Sequence, residues 1–80
     1  MEVLLHPKAA KYLNKLNEPI KSRIKTALTK LEKEPPEGDI KAMSGQDLYR
    51  VRVGGYRILF KMEKAAIRVH NIGLRGQIYK

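Results

Sequence analysis

The sequence contains no cysteine and no tryptophan, and only two histidines, His6 and His70. Without cysteine the chain can form no disulfide, hold no iron–sulfur cluster through thiolates and use no thiol nucleophile. Zinc sites are built from cysteine, histidine and carboxylate ligands, so a site with only two histidines would need an unusual ligand set. We therefore expect no metal and no other cofactor.

Long apolar runs are also missing. The longest uninterrupted runs have three residues, for example Val3-Leu4-Leu5 and Ile58-Leu59-Phe60. A membrane-spanning helix needs about 20 apolar residues and the core of a signal peptide about 7–15, so we expect neither and predict a cytoplasmic protein. The 80 residues, 42% of them hydrophobic, are typical of one globular domain that covers residues 1–80.

Acidic residues are scarce and unevenly placed. The chain has 17 Lys and Arg against 8 Asp and Glu, a formal net charge of +9. Residues 1–40 have eight basic and six acidic side chains, whereas residues 41–80 have nine and two, and five of the six arginines lie in this second half. Solubility alone accounts for many basic surfaces. Clustered arginine favours phosphate binding, because the guanidinium fork matches phosphate geometry.

The first half of the chain has apolar residues at helical spacing. After a short apolar segment at Glu2–Leu5, typical of a buried strand, His6-Pro7 favours a helix start because proline is tolerated in the first turn. A second helix is predicted after Asn17, the expected N-cap, and it ends before Pro35-Pro36. So short a connection predicts an antiparallel helical hairpin, and a loop is expected over 34–46.

In the second half the period changes to strict alternation. Residues 48–53 place Tyr49, Val51 and Val53 on one strand face and Leu48, Arg50 and Arg52 on the other. Gly54-Gly55 is a strong signal for a two-residue hairpin turn, and residues 56–61 are predicted to form the return strand. A third strand is predicted over 67–72, and residues 77–79 are a candidate for a last short strand. The sequence therefore predicts an α+β fold with an N-terminal strand, an antiparallel helical hairpin and a three- to four-stranded antiparallel meander.

Alternation also predicts a cluster of arginines. Arg50 and Arg52 fall on the strand face opposite the apolar residues, and Arg57 can lie across the hairpin from them. Arg75 follows the third strand, with Tyr79 nearby. Cations that hold phosphates and a ring that stacks on a base are suited to RNA. The alternative interpretation is that these positions are polar only because they are exposed to solvent, which would produce the same pattern.

Two segments resemble a known superfamily. YRVRVGGYRILF, residues 49–60, resembles the centre of the RelE/ParE toxin superfamily, whose members carry a Y-[KR]-[IV]-[KR] strand and then G-x-[YW]-R across the same hairpin. IGLRGQIY, residues 72–79, resembles the closing G-[HK]-R-x-x-[VI]-Y of that superfamily. With the first strand, the two Lys- and Leu-rich helices and the proline-containing loop, the resemblance covers essentially the whole chain and implies a RelE-like fold.

The resemblance further implies a toxin of a type II toxin–antitoxin system. RelE-type members bind the ribosome and cleave mRNA there by attack of a ribose 2′-OH on the adjacent phosphate, which inhibits translation without a metal. By position, the residues implied to be catalytic are Arg52, Arg57 and Arg75, which hold and polarise the phosphate, and Tyr79, which orients the nucleotide. Three further residues are expected to bind RNA: Arg50, Lys61 and Arg68.

The sequence departs from the superfamily pattern in the residues that could accept a proton. Some relatives have lysine at one or both paired strand positions, whereas both are arginine here, and arginine stays charged and is a poor general base. Leu74 stands where many relatives have histidine or lysine. His70 is a candidate substitute, because an imidazole titrates near about 6.5, and alternation places it with Arg68 and Ile72. A surface or core histidine is the alternative interpretation.

Two other functions stay open at this point. A ParE-like protein would inhibit DNA gyrase without nuclease activity, although such a binder has no need of the nuclease-type tail with Arg75 and Tyr79. A ribosome-binding toxin with weak cleavage would explain the missing general base.

Either kind of toxin implies a partner. A cognate RelB-like antitoxin is expected to contribute a segment with acidic and apolar residues to the groove between the helical hairpin and the sheet. The toxin–antitoxin complex is expected to be oligomeric. The ribosome and mRNA are the other expected partners, and no membrane is expected.

Overall fold

The computed structural model describes residues 1–43 and 47–78. In chain order, its elements are β1 (Glu2–Leu5), α1 (Pro7–Lys15), α2 (Ile20–Leu31), β2 (Ile40–Ala42), β3 (Tyr49–Val53), β4 (Tyr56–Met62), β5 (Ala66–Leu74) and α3 (Arg75–Ile78). This order confirms the predicted α+β fold, with a strand, two helices and then antiparallel strands.

The five strands form one sheet in the order β1-β5-β4-β3-β2. Strands β2 to β5 pair antiparallel as a four-stranded meander, and β1 lies parallel to β5 at one edge. A parallel neighbour cannot be joined by a tight turn, and here the helical hairpin and three strands of the meander separate β1 from β5 along the chain.

The fourth antiparallel strand lies in a part of the chain predicted to be loop. Strand β2 falls within 34–46 and pairs with β3. The candidate strand at 77–79 is wrong where the structure describes it, because Gln77 and Ile78 belong to α3; Tyr79 lies outside the described residues. Helix α3 folds back onto β5, where the buried side chain of Ile78 packs over Gly73.

The two longer helices begin differently. Helix α1 begins at Pro7, as predicted, and the imidazole of His6 caps it by accepting a backbone N–H. The predicted side-chain cap at Asn17 is wrong. Instead, the carboxylate of Glu18 accepts bonds from the backbone N–H and the hydroxyl of Ser22, at 2.9 and 2.6 Å. This carboxylate satisfies a donor in the first turn of α2 that would otherwise have no partner.

Both longer helices pack on the same face of the sheet. The buried core combines their apolar stripes with alternate strand residues, and Phe60, which is fully buried, stacks on Tyr49 with ring centroids 5.6 Å apart. The core residues are Ala9, Leu13, Ile24, Leu28, Leu31, Val51, Ile58, Phe60, Ile67, Val69 and Ile72. The other face of the sheet carries polar residues, the buried Leu59 and the short helix α3.

A bulge interrupts the alternation of β5. Leu59 pairs with Asn71 and Phe60 pairs with Val69, so His70 has no direct partner on β4. An extra residue of this kind reverses which side chains face the core.

The bulge overturns one prediction. Ile72 lies in the core, whereas Arg68 is exposed and lies between the core residues Ile67 and Val69 on the opposite face. The expectation that His70 shares one face with both Arg68 and Ile72 is therefore wrong.

Candidate nucleic-acid interface

The sheet face that the two longer helices leave uncovered carries basic side chains. Directly opposed residues on neighbouring strands lie on the same face, and the register opposes three basic pairs here. The pairs are Lys41 with Arg50, Arg52 with Arg57, and Lys61 with Arg68. We call these six residues the basic face. Like charges placed directly opposite each other destabilise a sheet, so this arrangement does not serve the stability of the fold.

The structure brings together most of the site residues that the sequence predicts. Five of the seven predicted residues lie on the basic face, and Lys41 is an addition that sequence reasoning missed. Strand β2 has only three residues, too few to show an alternating pattern. Its pairing with β3 is what places Lys41 beside Arg50.

Arg57 is the most enclosed member of the basic face, with 7% of its surface exposed. Its Nη1 donates to the carbonyl oxygens of Gly54 and Tyr56, at 2.9 and 2.8 Å. Gly54 has a φ of 59°, as the tight turn requires. Arg57 therefore supports the β3–β4 turn through one nitrogen, while Nε and Nη2 provide three further N–H groups.

Arg50 holds a buried donor without a partner. Its Nη1 is buried and makes no hydrogen bond within the described part of the chain. A buried donor left in this way costs about 1–3 kcal/mol. Such a group needs an explanation, and a bound anion at this position would supply the missing acceptor.

Arg52 is held by an acidic residue that sequence reasoning also missed. Its Nε donates to Oδ2 of Asp39 at 2.7 Å, and its backbone N–H donates to the Asp39 carbonyl at 3.1 Å. Both side chains are about half exposed. Asp39 directly precedes β2, in a segment with no periodic pattern, so only the strand pairing reveals this contact.

The charges of the basic face act on Asp39. The hydrogen bond from Arg52 is the main cause that lowers the pKa of the Asp39 carboxyl. Desolvation is the next largest effect and opposes it, and the charges of Arg52, Arg50 and Arg57 lower the pKa further.

Arg75 lies at the same end of the sheet as the β3–β4 turn. It is the first residue of α3, its side chain is exposed, and its backbone N–H donates to the carbonyl of Gly55 at 3.0 Å. We call the group of Arg50, Arg52, Arg57 and Arg75 the turn-end cluster. Tyr79, the remaining predicted site residue, lies outside the described residues.

The other end of the basic face is separate from this cluster. Lys61 is four residues from Arg57 along β4, or about 14 Å at a strand rise of about 3.4 Å per residue. Its partner Arg68 donates from Nε to Oε1 of Glu63 at 2.6 Å. The Lys61–Arg68 pair is therefore displaced along the strands from Arg57 and the β3–β4 turn, and Lys61 lies two residues from Leu59, the partner of Arg50.

A groove of about 420 Å³ lies between α2 and β3. Arg23 and Lys30 line it from α2, Arg52 lines it from β3, and Val51 and Val53 provide apolar surface. This α2–β3 groove thus combines positive charge with apolar contacts, next to the basic face.

Two kinds of feature are not found in the described part of the chain. Within residues 1–43 and 47–78, no three or more histidine, aspartate or glutamate side chains are grouped to hold a metal ion. None of the helices described there is long and apolar enough to cross a membrane.

Comparison with known proteins connects this geometry to a family. A profile of ParE toxins of the type II toxin–antitoxin system parDE matches residues 3–79. A search of curated protein sequences found no match.

Solved structures of RelE toxins share the fold. The RelB–RelE antitoxin–toxin complex of Methanococcus jannaschii contains a chain 28% identical to this one, with a TM-score of 0.77 over 95% of this chain and 94% of the other. A chain of the archaeal RelE–RelB complex of Pyrococcus horikoshii is 27% identical, with a TM-score of 0.79 over 95% and 96%. The isolated E. coli RelE toxin, 21% identical with a TM-score of 0.76 over 98% and 89%, shows the shared fold alone.

Proposed function

The chain belongs to the ParE toxin family of type II toxin–antitoxin systems, and we propose that it is a RelE-like toxin that cleaves mRNA on the ribosome. The observation that carries the proposal is the turn-end cluster, in which Arg50 has a buried donor without a partner among residues 1–43 and 47–78, and Arg57 is largely buried. Buried, positively charged guanidinium groups favour a negatively charged substrate, and the phosphates of RNA supply that charge.

The reaction uses the cluster to stabilise developing charge. Arg50, Arg52 and Arg57 contact the non-bridging oxygens of the phosphate while the ribose 2′-oxygen attacks phosphorus. The bond from phosphorus to the 5′-oxygen then breaks, leaving a 2′,3′-cyclic phosphate, and the departing 5′-oxygen takes a proton from solvent water to become a 5′-hydroxyl. Arg75 lies beside the leaving oxygen, and Tyr79 orients the nucleotide. A preorganised donor aimed at developing charge typically contributes about 10²- to 10³-fold in rate. Guanidinium groups supply this charge, so the proposed step needs no metal.

The 2′-OH proton also needs an acceptor, and Asp39 is the carboxylate bonded to this cluster. Its lowered pKa keeps it ionised at neutral pH. A phosphate that binds Arg52 competes with Asp39 for the same guanidinium. This competition frees an oxygen of the Asp39 carboxylate to accept a proton, and it removes part of the effect that lowers the pKa of Asp39. Replacing Asp39 with Asn should reduce cleavage by about 10²- to 10⁴-fold, the usual contribution of a general base. An unchanged rate would remove Asp39 from the reaction.

The proposed partner is an antitoxin, since two of the RelE structures compared above are RelB–RelE complexes. An acidic segment with apolar anchors fits the α2–β3 groove, where Arg23 and Lys30 face a floor that contains Val51. The assembly is oligomeric in this proposal, and the toxin acts in the cytoplasm, where ribosomes translate.

Ribosome-dependent mRNA cleavage tests the proposal. The unaltered chain should cut mRNA on the ribosome, whereas Arg57→Ala and Arg75→Ala should cut it at least tenfold more slowly. Lys25→Ala removes a positive charge from an exposed position on α2 that lies outside the groove, and it serves as the control. Equal cleavage by all variants would overturn the site assignment. Translation arrest without cut mRNA would identify a toxin that binds the ribosome and cleaves weakly.

One observation favours a second candidate function. The matching family profile is that of ParE toxins, and the ParE-like alternative from the sequence is inhibition of DNA gyrase without catalysis. A supercoiling assay with purified gyrase, run beside the ribosome assay, separates the two. Inhibition of supercoiling by the unaltered chain and by Arg57→Ala alike, with no mRNA cleavage, would establish the alternative.

A further inference from the structure

A second, smaller pocket lies at the β1–β5 side of the sheet, next to Arg68 of the basic face. It has a volume of about 210 Å³ and is formed where β1 ends beside the bulge of β5. His6, Arg68 and His70 line it together with apolar side chains that include Leu4 and Val69. The proposed cleavage reaction uses none of the three basic residues that line this pocket.

Backbone contacts fix the walls of this pocket. The backbone N–H of His6 donates to the carbonyl of Val69 at 2.9 Å, which ties the end of β1 to β5. The ring Nδ1 of His6 accepts the backbone N–H of Lys8 at 3.0 Å, so the neutral ring carries its proton on Nε2 as a donor. His70 is exposed because it is the extra residue of the bulge.

The cationic rim of the pocket is also held in place. Arg68 lines the pocket and forms a directly opposed pair with Lys61. Its bond to Glu63 uses Nε alone, and the terminal amino groups remain as donors for a ligand. Arg68 and Lys61 thus place two positive charges beside the pocket, on the same sheet face as Arg57.

The size and lining of the pocket indicate the class of ligand. A volume of about 210 Å³ is below the roughly 300–1,000 Å³ of sites for drug-sized molecules, so a single planar base fits better than a larger molecule. Proteins that bind single-stranded RNA stack bases on imidazole rings and guanidinium planes, and they hold the backbone with lysine and arginine. This pocket offers both kinds of contact.

We propose that the pocket and the Lys61–Arg68 pair form a second nucleotide subsite, which takes a base of the bound RNA against His70 and holds the adjoining phosphate on Lys61 and Arg68. The inference rests on the proposed function for its ligand, single-stranded RNA. Lys61 lies about 14 Å from Arg57 along β4. The subsite therefore binds a different nucleotide of the RNA from the one whose phosphate is cut. It therefore adds affinity for longer RNA without taking part in the reaction.

Oligonucleotide length separates this subsite from the turn-end cluster. The purified chain is titrated with fluorescent 2′-O-methyl RNA, which cannot be cut, in lengths from two to eight nucleotides, extended in the 5′ and 3′ directions separately. The unaltered chain should gain about 5- to 100-fold in affinity at the length where the strand reaches the pocket, the usual effect of one stacked base. The gain should appear in one direction only, because the two ends of the basic face are distinct.

Substitutions test which residues produce this gain in affinity for longer RNA. His70→Ala and Arg68→Ala should remove it and leave the affinity for the shortest RNA within about twofold, whereas Arg52→Ala should weaken binding at every length. Lys64→Ala removes a charge from the nearby β4–β5 turn and is the matched control, which should keep the gain.

The outcomes distinguish the subsite from the proposed function. A gain that persists in both subsite variants, or a chain that binds no length of RNA, would overturn the subsite. A chain that shows the gain but cuts no mRNA on the ribosome would overturn the proposed cleavage alone. All four altered residues are exposed, and thermal unfolding of each variant verifies that it is folded.

Discussion

The two faces of the sheet differ in what they bury. On the face packed against the helices, the buried strand residues are all apolar, and Phe60 and Ile58 have no exposed surface. The basic face instead keeps Arg50 with an unpartnered buried donor and places Arg52 directly opposite Arg57. The first arrangement stabilises the fold, and the second costs stability. We therefore expect substitutions on the helix-packed face to affect folding and substitutions on the basic face to affect the proposed reaction, so the two should change different measurements.

The largest effect on stability is expected at Phe60. Phe60→Ala leaves a cavity in the middle of the core and should lower the free energy of unfolding by about 3–5 kcal/mol. For 80 residues the total is expected to be only about 4–12 kcal/mol, so urea unfolding should show a large fall in the midpoint. Met62→Ala, an exposed position on the same strand, should change it by less than about 0.5 kcal/mol. Similar losses from both substitutions would contradict the assignment of the core.

Arg50 should show the opposite behaviour. Arg50→Met removes the buried donor and keeps a long side chain, so the free energy of unfolding should stay the same or rise by up to about 1–3 kcal/mol. Cleavage on the ribosome should fall by about 10²- to 10³-fold, because one donor to the phosphate is lost.

Urea unfolding and the cleavage assay measure these two changes, and Arg52→Met is the control. Its exposed side chain should give the same loss of cleavage with no gain in stability. A clear loss of stability in Arg50→Met would show that Arg50 serves the fold.

The contrast between the faces could be predicted from the sequence where alternation is regular. Arg50, Arg52 and Arg57 follow directly from the pattern around Gly54-Gly55, because a period of two assigns each side chain to a face. The directly opposed placement of Arg52 and Arg57 across the hairpin follows from the turn.

The remaining features depend on contacts that no local pattern encodes. Strand β2 is too short to show an alternating pattern, so the sequence does not predict that Lys41 and Asp39 lie beside the arginines. The bulge at His70 shifts the register by one residue through pairing with β4. The tail forms a helical turn because Ile78 packs on Gly73, a tertiary contact that overrides strand propensity.

A smaller effect is expected at the turn that connects the two central strands. Gly54 adopts a φ of 59°, and a Cβ there would meet no atom within 4 Å, so Gly54→Ala is unfavourable for conformational reasons alone. We expect a loss of about 1–2 kcal/mol, the cost of a left-handed conformation for a residue with a side chain.

Gly55→Ala is the matched control for Gly54→Ala. Residue 55 also has open space for a Cβ, and its φ is not in the left-handed range. It should therefore lose less stability in urea unfolding. Equal losses would indicate that the turn does not depend on the conformation of Gly54.

The smallest effect is expected for the dependence of stability on pH. Two carboxylates can be compared here, Asp39 beside the basic face and Glu18 at the start of α2. The hydrogen bond from Arg52 lowers the pKa of Asp39, and the hydrogen bonds from Ser22 lower that of Glu18. A carboxyl whose pKa is lower in the folded state contributes stability above its ordinary pKa, here 3.8 for Asp39 and 4.5 for Glu18. That contribution is lost as the pH falls through the folded pKa.

Urea unfolding at intervals between about pH 6 and pH 2.5 checks this effect. The unaltered chain should lose stability across the acid range, and Asp39→Asn and Glu18→Gln should each lose less of it. The Asp39 contribution should shrink in high salt, because it includes charges from three arginines that salt screens. The Glu18 contribution rests first on hydrogen bonds from neutral groups and should change less. Equal sensitivity to salt at both positions would show that the arginines of the basic face do not act together on Asp39. It would also contradict the inference that the basic face differs from the start of α2 in the charge around its carboxylate.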